Sequence, residues 1–286
     1  MDPLATAALL AAMMAGAPGG QPAPIELGRR VVELFPTTDP YPPNTASSHR
    51  LTNAVQLVSV STVGIADSGD SRFFLRLGGR FGVLRLRSRE REDRAWQLGI
   101  EAGFSGQFDN DNGQDNIGWD GFYGLVLTRA QGPSLAWKLG VLHTSAHLGD
   151  ELIERTGRAR LGYTREELQA GLSLRFGPRL RGYLEGGYGY ERRIDLQRPW
   201  RGQLGLVFED RDRFAGGRFG WYVGADLSGW EERDWRLDAA LQVGLLFPAG
   251  DGAWRLGIEA HDGRPPMAEL FQDTETSVSM GLWLDL

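Results

Sequence analysis

An antiparallel transmembrane β-barrel of about twelve strands is the fold class that these 286 residues predict. Three observations carry it. From Thr52 onward, apolar and polar residues alternate with period two in runs about ten residues long. No apolar run approaches the roughly 20 residues that a membrane-spanning helix requires, so insertion would have to be as a closed barrel. Long and short connections also alternate along the chain, as they do in outer-membrane barrels.

The elements follow in order. Leu4 to Ala15 is apolar and runs into Ala15-Gly16-Ala17, the small-x-small form of a signal-peptidase site, so residues 1–17 are predicted to be an export signal, although Met1-Asp2-Pro3 supplies no cationic front end. Between Ile25 and Phe35, Leu27, Val31 and Leu34 have helical spacing, and Pro36 ends the segment; a short amino-terminal helix is predicted there. Asp39-Pro40-Tyr41-Pro42-Pro43 forbids regular structure and reads as a tether, so residues 18–50 form helix and linker, and 51–286 the barrel. Strands are predicted near 52–63, 72–87, 95–107, 118–130, 133–145, 163–176, 179–193, 200–208, 219–230, 234–247, 253–262 and 276–286. Glu209 to Arg218 is a longer connection than the loop rule predicts, and Glu231 to Asp234 a shorter one.

Alternation alone does not say which face is wet, and a soluble β-barrel has the same period. The composition of the polar face favours a lumen. Arg76, Glu101, Lys138, Glu167, Arg181, Glu185, Asp226, Arg255 and Glu259 mix both signs and can pair across a closed interior. Trp96, Trp119, Trp221, Trp235, Trp254 and Tyr190 lie near strand ends, where interfacial aromatic girdles sit. The final run, Val278, Met280, Leu282, Leu284 and Leu286, resembles the signal read by barrel-assembly machinery, an expected partner alongside outer-membrane lipids.

Composition narrows the chemistry. With no Cys there is no disulfide, thiolate zinc site, iron–sulfur cluster or cysteine nucleophile, and a net charge of −6 without a basic face argues against nucleic acid. In the fifth run, Leu135, Trp137, Leu139, Val141, His143 and Ser145 share the apolar row, which places an imidazole and a hydroxyl two residues apart on the face that meets lipid. At that spacing His143 can act as general base for Ser145. If the strand ends are level, Glu166 on the sixth run lies near His143 and is the candidate acid, with Asp150 and Glu151 as competitors; amides near Gly149 or a bound cation are the candidates for an oxyanion hole. The opposing reading is that polar residues at a barrel rim merely mark where the apolar band ends.

Spacing bears on two metal readings. His143 and His147 are too far apart along an extended strand to share one ion. Asp109, Asp111 and Asp115 resemble a calcium loop, but Gly113 falls one place early and no Glu stands at the twelfth position; an acidic external loop competes with a loose divalent-cation (calcium) site.

Glu33-Leu34-Phe35-Pro36, Leu98-Gly99-Ile100-Glu101-Ala102-Gly103, the core His143-Thr144-Ser145-Ala146-His147-Leu148-Gly149-Asp150-Glu151 and Gly162-Tyr163-Thr164-Arg165-Glu166 resemble an uncharacterised family of exported bacterial proteins with a domain of unknown function. That family has a second Ser where Ala146 stands, and Asp-Pro-Arg where this chain has Asp39-Pro40-Tyr41. The resemblance implies an outer-membrane barrel. Locally, His143-Thr144-Ser145 is similar to the outward-facing His-x-Ser of outer-membrane phospholipase A and lipid A deacylase barrels, which implies acyl-ester hydrolysis at the outer leaflet. A non-enzymatic structural or transport barrel is the alternative.

Overall fold

The computed structural model describes residues 22–49, 52–62, 65, 68–91, 93–250 and 252–285; the predicted export signal lies outside them. A small hairpin, β1 (Ile25–Leu27) and β2 (Arg30–Leu34), precedes twelve long strands. These are β3 (Asn53–Thr62), β4 (Ser71–Ser88), β5 (Arg94–Asp109), β6 (Asp115–Gln131), β7 (Leu135–Leu148), β8 (Thr164–Phe176), β9 (Leu180–Arg192), β10 (Trp200–Phe214), β11 (Phe219–Trp230), β12 (Leu237–Ala249), β13 (Gly252–Gly263) and β14 (Glu275–Asp285). Each pairs antiparallel with its sequence neighbours, and β14 pairs with β3 to close the barrel. Closure pairs each of the twelve long strands on both sides and leaves β1 of the added hairpin as the outer strand of the sheet.

The barrel is apolar outside and polar inside. Leu57, Leu98, Ile100, Leu125, Leu139, Leu206, Ile258 and Met280 are exposed, while Gln56, Glu101, Lys138, Gln169, Glu185, Gln242, Arg255 and Glu259 are buried in the lumen. Trp96 and Trp254 near one rim, and Tyr190, Trp200 and Trp235 near the other, face outward as girdles. Turns at the first rim are tight, at 132–134 and 177–179, whereas loops such as 149–163 and 264–274 at the second rim are long. The connection after Glu209 is shorter than its sequence suggests, because β10 continues to Phe214. The long loops fold together: Ile65, Ile117, Leu148, Leu152, Met267 and Leu270 form a buried core under a short helix, α1 (Asp150–Thr156).

Two expectations for the amino-terminal segment are corrected. Ile25–Leu34 is a hairpin rather than a helix. The cause lies in β4, which is longer than its neighbour: β3 pairs with Ser71–Arg76, and β2 takes the edge from Leu84 to Ser88. Unpaired backbone groups along that edge outweigh the helical spacing of three apolar residues. Glu33 pairs with Arg85 and Arg87 across the join.

The Pro-rich segment is not an external tether but enters the lumen. Arg80 Nε donates to Asp39 (2.9 Å), Tyr41 OH and Asn44 Nδ2 donate to Glu185 (2.9 and 2.6 Å), Arg181 Nη2 donates to the Pro43 carbonyl, and Gln203 donates to Ser47 Oγ (2.7 Å). His49 meets Trp230 edge-on at 5.8 Å. Proline suits this path, since it brings no backbone N–H that would need a partner inside the barrel.

Candidate functional site

Alternation along β7 fixes the facing of the site. Thr144 and Ala146 point inward, while His143, Ser145 and His147 continue the outward row of Leu139 and Val141 toward the long-loop rim. Cross-strand register sets their neighbours. Tyr123, His143 and Glu166 are level on β6, β7 and β8, and Gly121, Ser145 and Thr164 form the next outward row.

Side chains join across that register. His143 Nδ1 donates to Glu166 Oε1 in a short hydrogen bond, with the two side chains 15% and 28% exposed. A carboxylate accepts only, so in the neutral ring this contact selects the Nδ1–H tautomer, whose lone pair is on Nε2. Tyr123 stacks on the imidazole with ring centroids 4.4 Å apart. The ring is therefore held from two sides. No hydrogen bond joins Ser145 Oγ to His143 among the described residues. Gly121 on β6 stands directly opposite Ser145.

The remaining motif residues take other positions. His147 stacks on Trp119 at 4.3 Å and stays with the aromatic girdle. Gly149 N–H donates to the Ile117 carbonyl (3.1 Å), so this amide is not available for an oxyanion hole. A Cβ at Gly149 would stand 1.7 Å from the Asn116 carbonyl oxygen, which explains the glycine sterically. Asp150 and Glu151 open α1, and Asp150 pairs with Arg160 instead of His143.

The calcium-loop reading does not fit the donor set. Asp109 accepts from Gly69 N (2.9 Å), Asn112 Nδ2 (2.9 Å), Asp111 N (3.1 Å) and Arg155 Nη2 (3.1 Å). Asp111 accepts from Ser71 N (2.9 Å), and Asp115 pairs with Arg155. These carboxylates already face N–H donors, and no group of three or more His, Cys, Asp or Glu among the described residues is arranged to hold a metal.

A family model described as a protein of unknown function (DUF1207) matches residues 63–282. The chain belongs to that family. No curated protein matches the sequence. Among solved structures, the barrel is similar to outer membrane phospholipase A from Escherichia coli, with 13% identity and a TM-score of 0.59 over 82% of this chain and 90% of that one. It is likewise similar to the Salmonella typhi outer membrane phospholipase dimer with bound calcium, with 14% identity and a TM-score of 0.58 over 82% and 90%. At such identities the likeness is one of fold, and that fold is the outer-membrane β-barrel.

Sequence reasoning missed Tyr123 as the partner that stacks on His143. The signal was present, since Tyr123 lies on the outward row of its strand, but only the register could bring it level with the imidazole.

Proposed function

We propose that the protein is an integral outer-membrane barrel that hydrolyses acyl esters of envelope lipids at the outer leaflet. The observation that carries this reading is the His143–Glu166 hydrogen bond on the outward apolar row, with Ser145 one outward position further toward the rim. An imidazole held by a carboxylate has no packing role to play on a face covered by hydrocarbon. Placement in the outer membrane is supported by the apolar exterior, the aromatic girdles and the fold of the phospholipase barrels.

In this reading Ser145 Oγ attacks the ester carbonyl while His143 Nε2 takes its proton. Glu166 fixes the Nδ1–H tautomer and stabilises the imidazolium that forms. His143 then protonates the departing alcohol oxygen, and water, deprotonated by the same base, releases the fatty acid from Ser145. Tyr123 keeps the ring from rotating away. Outer-membrane lipids are the substrates, and the apolar row of β14 is the surface offered to barrel-assembly machinery. Transport is the weaker reading, because residues 39–49 occupy the lumen.

The test is fatty-acid release from phospholipid or lipid A by the refolded full chain. Wild type should release acyl chains and Ser145→Ala should not, with both showing the mobility shift on boiling that marks a folded barrel. Equal release by the two would overturn the proposal.

A further inference from the structure

The lower lumen, toward the tight-turn rim, holds more guanidinium than its carboxylates neutralise. Arg175, Arg179, Arg181, Arg211 and Arg255 line one continuous cavity there. Its carboxylates are already engaged. Glu209 is shared by Arg255 (2.7 Å) and Arg211 (2.9 Å), Asp285 accepts from Arg255 Nε (2.5 Å), and Asp210 lies 3.3 Å from Arg179. Glu185, higher in the lumen, is occupied by Lys138 Nζ (2.9 Å), Tyr41 and Asn44.

Two buried donors are left over. Arg181 is 6% exposed and Arg255 1% exposed, yet the Nη1 atom of each has no hydrogen-bond partner among the described residues. Both side chains line the same cavity. Arg181 forms no ion pair with a carboxylate among the described residues; Nη2 is satisfied only by the neutral Pro43 carbonyl. A buried N–H donor without a partner is costly, and two such guanidinium donors line one cavity. A bound anion would remove both costs.

We propose that the lower lumen is a binding site for a compact oxyanion, a phosphate group, held between Arg181 Nη1 and Arg255 Nη1. Guanidinium is suited to this task because its donors are fixed in a plane and remain charged. Arg181 comes from β9 and Arg255 from β13, so the donors approach from separate strands, which suits a tetrahedral anion. Arg175, near the end of β8, and Arg179, in the turn that follows, are exposed and form a cationic entrance. The luminal segment forms part of the floor through Pro43, so an anion seated here also reinforces the segment that fills the barrel. The site faces away from the outward row of Ser145 and stands whether or not that row is catalytic.

The experiment is calorimetric titration of the refolded full chain with inorganic phosphate and, separately, with short-chain phosphatidic acid in phosphate-free buffer. Saturable 1:1 binding of either is expected, weakened at least tenfold in Arg181→Met. Binding of inorganic phosphate identifies a soluble anion, and binding of phosphatidic acid alone identifies a lipid headgroup; both support the site. If Arg181→Met fails to show the folded mobility, arginine modification of the wild type by phenylglyoxal decides, because the bound anion should slow adduct formation at Arg181 several-fold. Absence of saturable binding to both ligands, equal binding by folded Arg181→Met, or unaltered modification of Arg181 would overturn the proposal.

Discussion

Replacing Glu166 offers the sharpest reading of the outward site, because two substitutions remove different parts of one interaction. Glu166→Leu removes the acceptor of the His143 Nδ1–H altogether. Glu166→Gln retains an acceptor oxygen but not the charge. A hydrogen bond to a charged group contributes about 1.5–3 kcal/mol and a neutral one about 1 kcal/mol. If the bond is needed chiefly when the imidazolium forms, Glu166→Leu should lower kcat roughly 10- to 150-fold and Glu166→Gln roughly tenfold or less, at about 1.4 kcal/mol per factor of ten. KM should change little, because neither residue contacts the lipid chain in the ground state. The assay is fatty-acid release from mixed micelles by refolded protein, each variant checked for the folded mobility. The partial exposure of the pair sets the upper bound, since solvent screens what the charge contributes. The reasoning is refuted if Glu166→Leu retains more than about half of the wild-type kcat, or if Glu166→Gln proves the more damaged of the two.

Further outcomes are expected elsewhere. Tyr41→Ala removes a buried ring and its bond to Glu185 from the lumen; planar-bilayer recordings should show openings absent from the wild type, and an equally silent variant would mean that this ring does not seal the barrel. His49 lies on the luminal segment, outside the spanning strands, where burial first, then Arg264, His261, Arg76 and Arg201, hold its imidazole well below the ordinary value of 6.5. The unfolded chain therefore takes up this proton more readily, and folded-state stability should fall as pH drops below about 6.5 toward the depressed folded value. Thermal unfolding of His49→Gln should lose part of that acid sensitivity, and an unchanged pH profile would contradict the assignment. Gly149→Ala forces a methyl group against the Asn116 carbonyl and should cost about 3 kcal/mol or more, read as a lower unfolding midpoint.

The strands were legible because each carries its own signal. Along β5, the alternation of Trp96, Leu98 and Ile100 with Gln97, Gly99 and Glu101 needs only period two to be read, and closure follows when every strand has one apolar face. The level placement of His143 and Glu166 was legible for the related reason that β7 and β8 are joined by a long loop at one end and share aligned ends at the other. What could not be read depended on contacts distant in sequence. The β1–β2 hairpin answers to an edge of β4 left open by a short β3, which no local pattern announces. Residues 39–49 have no periodicity, and their place in the lumen is set by Arg80, Arg181, Glu185 and Gln203, residues of three different strands. Likewise, Asp109 looks like a calcium ligand until Gly69 and Arg155 are brought to it.

Covalent labelling tests the central claim most directly. A long-chain alkylsulfonyl fluoride presented in detergent micelles to the folded full chain should sulfonylate one residue, Ser145, and peptide mass spectrometry should find that adduct lost in both Ser145→Ala and His143→Ala. An unlabelled folded barrel, or an adduct that persists when His143 is removed, would contradict a base-activated serine on the outward face.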